Sequence, residues 1–183
     1  MITITVPETE MFDNKENRFF LIKETKIKLE HSLISVSKWE SKWKIPFLFK
    51  SEEKTVEQTM DYIKCMTIND VNENVYSAFT NENFSSVKEY IESPMSATWF
   101  REKKQQKKSS EIITSELIYY WMVLYNIPLE CEKWHLNRLL TLIRICSIKA
   151  EEHIGGNKMS KNSILSENQL INLERRAKFN SRG

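Results

Sequence analysis

The 183 residues carry 27 Lys and Arg against 25 Asp and Glu, and 40 % of them are apolar, with five tryptophans. That composition can build a real core, which excludes general disorder, and a near-neutral charge gives no global pull toward nucleic acid or an anionic membrane. Only three glycines occur, two of them adjacent at Gly155 and Gly156, so no glycine-rich loop of the dinucleotide or P-loop kind can be assembled.

The opening "MITITVPETE" is acidic and lacks an apolar run, so no signal peptide is expected there. "ITITV" alternates Ile2, Ile4 and Val6 on one face, and "RFFLIKETKIKLE" offers a second extended run. "FDNKEN" between them has turn composition, so a β-hairpin is expected over about residues 2–30. Alone it would be marginal and must lie on something.

From Ser32 the period becomes helical, through Leu33, Val36, Trp39, Glu40 and Trp43, until Ile45-Pro46 stops it. "TVEQTMDYIKCM" opens with a Thr55-x-x-Gln58 capping box and turns Val56, Met60, Ile63 and Cys65 inward. Two shorter helices are expected around 71–79 and 84–91, separated by "TNEN" and closed by Pro94. Residues 101–110, "REKKQQKKSS", hold five basic residues against one glutamate and read as an exposed loop.

"EIITSELIYYWMVLYNI" is apolar almost all round, the pattern of a buried helix, though too short for the ~20 residues of a membrane span. Pro128 ends it, and "LECEKWHLNRLLTLIRICSIKAEE" reads as the longest helix, completing a central antiparallel helical hairpin over about 111–149. Counting from a turn near Ile127 places Glu116 and Arg138 at one depth on facing helices, where a paired charge is tolerable, so a Glu116–Arg138 contact is expected. The same count makes Tyr119 and His135 neighbours. Residues 157–183 hold six Lys or Arg against two Glu and read as a flexible basic tail. The fold class is therefore mainly α: a helical domain over 1–153 with its N-terminal β-hairpin, then a tail over 154–183 that could form a weak helix.

The stretch "ECEKWHLNRLL" gathers Cys131, His135 and Asn137. On a helix Cys131 and His135 share a face, but Cys146 lies ~16 Å further along the axis and cannot complete a four-ligand zinc site. Asn137 faces away from His135, and thiol-protease groups meet from distant elements, so a nucleophile is not supported either. Packing explains the run better: Leu136, Leu139, Leu140, Ile143 and Cys146 make one apolar face, and His135 caps or hydrogen-bonds a neighbour. No catalytic residue, cofactor site or metal site is assigned. The three cysteines, Cys65, Cys131 and Cys146, lie far apart without a CxxC, as suits free thiols in a reducing cytoplasm.

Several blocks together carry a resemblance: "ITITVPETEMFD", "KLEHSLISVSKWESKW", "DYIKCMTI", "PMSATWF", the long "EIITSELIYYWMVLYNIPLECEKWHLNRLLTLIRICSIK" and the basic end "RRAKFNSRG". The chain resembles small proteins of tailed phages and prophages of Gram-positive hosts, sometimes labelled tail assembly chaperones. The resemblance implies a non-enzymatic assembly factor of the host cytoplasm or virion, binding helical segments of the tape-measure protein, with no membrane role. It brings no catalytic motif. Candidate partner-binding residues are the aromatics Trp99 and Phe100 with Lys103 and Lys104 in the loop and Arg175 and Arg176 in the tail. Trp39 and Trp43 are assigned first to the core. A homo-oligomer is compatible with this reading. The alternatives are a structural virion protein, such as a head–tail connector or tail-completion protein, and a nucleic-acid-binding accessory protein, which the near-neutral charge disfavours.

Overall fold

Strand pairing at the N-terminus keeps a single register through two ladders. In the computed structural model, which describes residues 1–13, 17–49, 54–100 and 112–154, β1 (Ile2–Val6) pairs antiparallel with β4 (Thr25–Leu29), and β2 (Thr9–Asp13) with β3 (Arg18–Ile22). Val6 faces Thr25 and Thr9 faces Ile22, three residues on along one strand and three back along the other, so no bulge intervenes. The expected hairpin is thus one long arm interrupted at Pro7-Glu8, where proline has no N–H to give to a ladder.

The two ladders bury opposite faces. In the first, Ile4, Val6, Ile27 and Leu29 are buried while Thr3, Thr5, Lys26 and Lys28 are exposed, a clean period of two. In the second, residues of the same alternation, Phe12, Phe19 and Leu21, are exposed, and Ile22 is buried instead. The interruption and the strong twist of a two-stranded ribbon give the distal ladder its different footing. The outer edge of β4 is covered: Ile68 N–H donates to the Lys28 carbonyl (2.9 Å), Lys28 N–H to Asn69 Oδ1 (2.7 Å) and Glu30 N–H to the Met66 carbonyl (2.9 Å). An edge so capped cannot template further strands.

The helices start where the sequence places caps. Ser32 opens α1 (Leu33–Trp43) in a reciprocal capping box with Ser35, and Thr55 opens α2 (Val56–Met66) in the expected box with Gln58. Trp39 is fully buried, as its assignment to the core requires, and its indole N–H donates to the Gln58 carbonyl (2.9 Å), fastening α2 to α1. Trp43 is half-buried, its indole N–H donating to Asp61 Oδ2 at 2.9 Å, and Lys42 bonds the other Asp61 oxygen. The inward face of α2 is Tyr62, Ile63 and Met66; Val56 has the same helical phase as Ile63 but sits about two turns before it, at the start of the helix, and is exposed.

Lys44 ends α1 in the left-handed region, φ 57° and ψ 30°, its N–H bonded to the Glu40 carbonyl at 2.8 Å. A side chain with a Cβ is strained there and glycine is not. Lys44→Gly is expected to raise stability by about 0.5–1 kcal/mol, read as a higher urea midpoint at unchanged slope; a lower midpoint would contradict the assigned backbone.

After α2 comes a 3-10 turn, Glu73–Ala78, then α3 (Asn81–Glu92), which starts earlier than its apolar pattern suggests because Thr80 and Asn83 form a capping box. The helix α4 (Ser115–Leu124) follows, then a second 3-10 turn, Leu129–Lys133, and α5 (Leu136–Ile154). The long helix expected from residue 129 therefore begins only at Leu136. His135 is extended against Ser32, and its Nδ1 accepts from Asn137 N–H (3.3 Å), a cap on the first turn of α5. Cys131 is buried in the 3-10 turn, so Cys131 and His135 do not share a helical face.

The chain divides into two units, Met1–Ile143 and Arg144–Gly183, a boundary inside α5. The expected tail over 154–183 lies outside the described residues except for Ile154, the last residue of α5. Among the described residues no helix is long and apolar enough to cross a membrane.

Candidate functional site

Two polar constructions fix the body that any surface must sit on. The first joins three elements through a buried carboxylate. Glu40, only 7 % exposed, accepts from the Phe47 N–H through Oε1 and from the Ser115 N–H through Oε2, both at 2.7 Å. Ser115 is the first residue of α4, so its N–H is one of the donors a helix leaves without an intrahelical partner. Glu40 thereby welds α1, the turn after it and the start of α4 into one frame. Its helical spacing marks it as inward-facing, but nothing in the sequence indicates which donors it meets.

The second is a cluster of two histidines and two tyrosines. His31 and His135 are both buried, with ring centroids 5.0 Å apart and edge to face. His31 Nδ1 lies 2.5 Å from the Tyr62 hydroxyl, and His135 Nε2 donates to the Tyr90 carbonyl at 3.0 Å. Because His135 Nδ1 accepts from a backbone N–H, its ring is the neutral Nε2–H tautomer. Burial, then the neighbouring His135, pushes His31 down to about 3. Burial also lowers His135, against the opposing pull of the Tyr90 carbonyl and Glu30. Burial and the hydrogen bond to Glu30 raise the Tyr90 hydroxyl well above the tyrosine range; that bond is 2.5 Å, and the other Glu30 oxygen meets the Met1 ammonium at 2.7 Å. Asn137 adds Nδ2 bonds to the Ile91 and Ser93 carbonyls at the end of α3 (2.9 and 2.8 Å). Every group here has a structural partner, and the arrangement knits β4, α2, α3 and the start of α5 together.

The unsatisfied feature is apolar and lies outside. The helix α4 buries Ser115, Ile118 and Met122, while Tyr120, Val123 and Leu124 are 58 %, 68 % and 52 % exposed. The expectation of a helix buried all round thus fails on one face. Leu129 in the following 3-10 turn is also exposed; Asn126 turns the chain in the left-handed conformation (φ 52°), and Tyr119 O–H donates to Glu132 at 2.8 Å, tying that turn to α4. Both segments lie against α1.

The expected Glu116–Arg138 pair does not form. Both side chains are exposed; Glu116 bonds at its own helix N-terminus with Thr114 and Ser115, which lowers its carboxyl, and the Arg138 guanidinium stacks 4.3 Å from the Trp134 ring. Tyr119 finds Glu132, and His135 finds Tyr90 and His31. The expected pairing requires one turn at Ile127 between two continuous helices. A 3-10 segment rises about 2.0 Å per residue against 1.5 Å, and the extended Trp134-His135 follows it, so the depth of every later residue shifts.

Among the other expected binding residues, Trp99 is exposed and Phe100 partly so. Lys103, Lys104, Arg175 and Arg176 lie outside the described residues. Of this set the described residues include only Trp99 and Phe100, and the α4 face is an addition the sequence pattern concealed.

No protein-family model, no curated protein and no solved structure matches the chain.

Proposed function

We propose that this protein is a non-enzymatic assembly factor of a tailed phage that binds helical segments of a partner protein, the tape-measure protein being the partner its sequence resemblance implies. The observation that supports the reading is the exposed apolar face of α4. Among the described residues no buried side-chain nitrogen or oxygen lacks a partner, so the fold is satisfied inside while three large apolar side chains of one helix stand outside. That face lies in the 111–149 block, the most specific part of the resemblance. An amphipathic helix is the natural occupant of such a surface, its own apolar stripe leaving water together with Tyr120, Val123 and Leu124.

In this reading Trp99 and Phe100 supply a second apolar contact, and the basic tail steers the partner electrostatically. The work takes place in the host cytoplasm. Co-expression with the tape-measure protein of the same phage tests it. The tape-measure protein should become soluble and copurify; aggregation identical with and without this chain would count against the proposal.

A further inference from the structure

The end of α3 and the start of α5 are joined through one histidine. His135 stands just before α5 and uses both ring nitrogens: Nε2–H donates to the Tyr90 carbonyl at 3.0 Å, and Nδ1 accepts the Asn137 N–H at 3.3 Å. Asn137 in turn donates through Nδ2 to the Ile91 and Ser93 carbonyls. The ring is 7 % exposed and lies edge to face against both Tyr90 and His31. The titratable and charged groups facing the histidine pair are Tyr90 from α3, Tyr62 from α2, and Glu30 beside His31, with the Met1 ammonium bonded to Glu30. In the neutral ring Nδ1 is an acceptor. Once protonated it is a donor, and it then points its own N–H at that of Asn137. The cap on α5 becomes a repulsive contact, and the new charge sits 5.0 Å from the His31 ring in a buried site. Asn137 both receives this repulsion and ties α5 to the end of α3, so the two helix ends part together. The frame of α1, α2 and α4 is held by Glu40 and by Trp39 on Gln58, and none of those bonds passes through a histidine.

We propose that His135 is a pH-operated latch, whose protonation releases the end of α3 from the start of α5 while α1, α2 and α4 stay packed. The opening is local and precedes the unfolding of the whole chain. Burial holds the ring neutral in the closed seam, against the pull of the Tyr90 carbonyl and Glu30, so acid favours the open one. The latch is independent of what the protein binds.

The test is amide hydrogen exchange of the full chain between pH 7 and pH 5, with exchange times scaled to the chemical rate at each pH. Amides at the end of α3 and the start of α5 should open about tenfold more often at the lower pH. They should also exchange faster than those of α1 and α2 at every pH and respond little to low urea, the mark of a local opening. His135→Gln should remove the pH response of the seam, whatever its starting protection. Because that variant also loses a cap, the wild-type ring is followed by its side-chain nitrogen chemical shifts. Nδ1 should gain its proton over the same pH range in which the seam opens. Exchange of the seam at the rate and urea dependence of α1 and α2 would overturn the latch and leave only global unfolding. A seam that opens while His135 stays neutral, or that keeps its pH response in His135→Gln, would overturn it as well.

Discussion

Glu40→Ala is expected to cost about 3–5 kcal/mol, enough to unfold a marginal domain at 37 °C. The carboxylate accepts two backbone N–H groups at 2.7 Å from Phe47 and Ser115, and alanine offers neither an acceptor nor room for several waters. Leaving a buried donor unpaired costs roughly 1–3 kcal/mol each, while Thr114 continues to cap α4. Glu40→Gln separates charge from shape. It keeps one carbonyl oxygen but turns an NH2 toward the second donor, so a loss of about 2–3 kcal/mol is expected, intermediate between wild type and alanine. Urea denaturation checks the series. A Glu40→Ala protein within 1 kcal/mol of wild type would show that the carboxylate is not the junction of these three elements.

Acid is expected to destabilise the fold well before its carboxylates titrate. His31 falls to about 3 in the folded chain and His135 is lowered as well, while both return to an ordinary value near 6.5 when unfolded. The unfolded state therefore binds more protons below pH 6.5. Stability is complete above that pH and falls as pH drops toward the folded value. His31 alone accounts for about 3 kcal/mol between pH 7 and pH 4, at ~1.36 kcal/mol per pH unit. The groups facing the pair are Tyr62 from α2, Tyr90 from α3, Glu30 and the Met1 ammonium, and neither tyrosine ionises in this range. Asp61 and Glu116, whose carboxyls are lowered in the fold, contribute only nearer pH 4, so the window from pH 6.5 to 4.5 belongs to the histidines. Urea midpoints at half-unit pH intervals should show this slope, and His31→Gln should flatten it whatever it does to the midpoint. An unchanged slope in that variant would contradict a neutral buried His31.

What could be read from the sequence was what is coded locally. Alternation in "ITITV" and "KIKLE" placed the first ladder, and Ser32, Thr55 and Thr80 mark helix starts because a capping side chain needs only its own next three residues. Longer-range features were not legible. The residues of α4 are apolar on every side, so their pattern cannot tell the face that meets α1 from the face left outside. Glu40 has the right phase to point inward, but its two donors lie 7 and 75 residues away. His135 both caps α5 and hydrogen-bonds a neighbour, as the sequence suggests, yet its meeting with His31 depends on how β4 approaches the start of α5. A single missing feature, the 3-10 turn at Leu129–Lys133, displaced the start of α5 and with it the Glu116–Arg138 pairing.

The proposed assembly role has one direct measurement: mass spectrometry of purified virions beside material captured with the tagged protein from infected lysate. The account predicts tape-measure protein in the captured material and none of this chain in finished particles. Stoichiometric presence in virions would contradict it and make the protein a structural part of the particle.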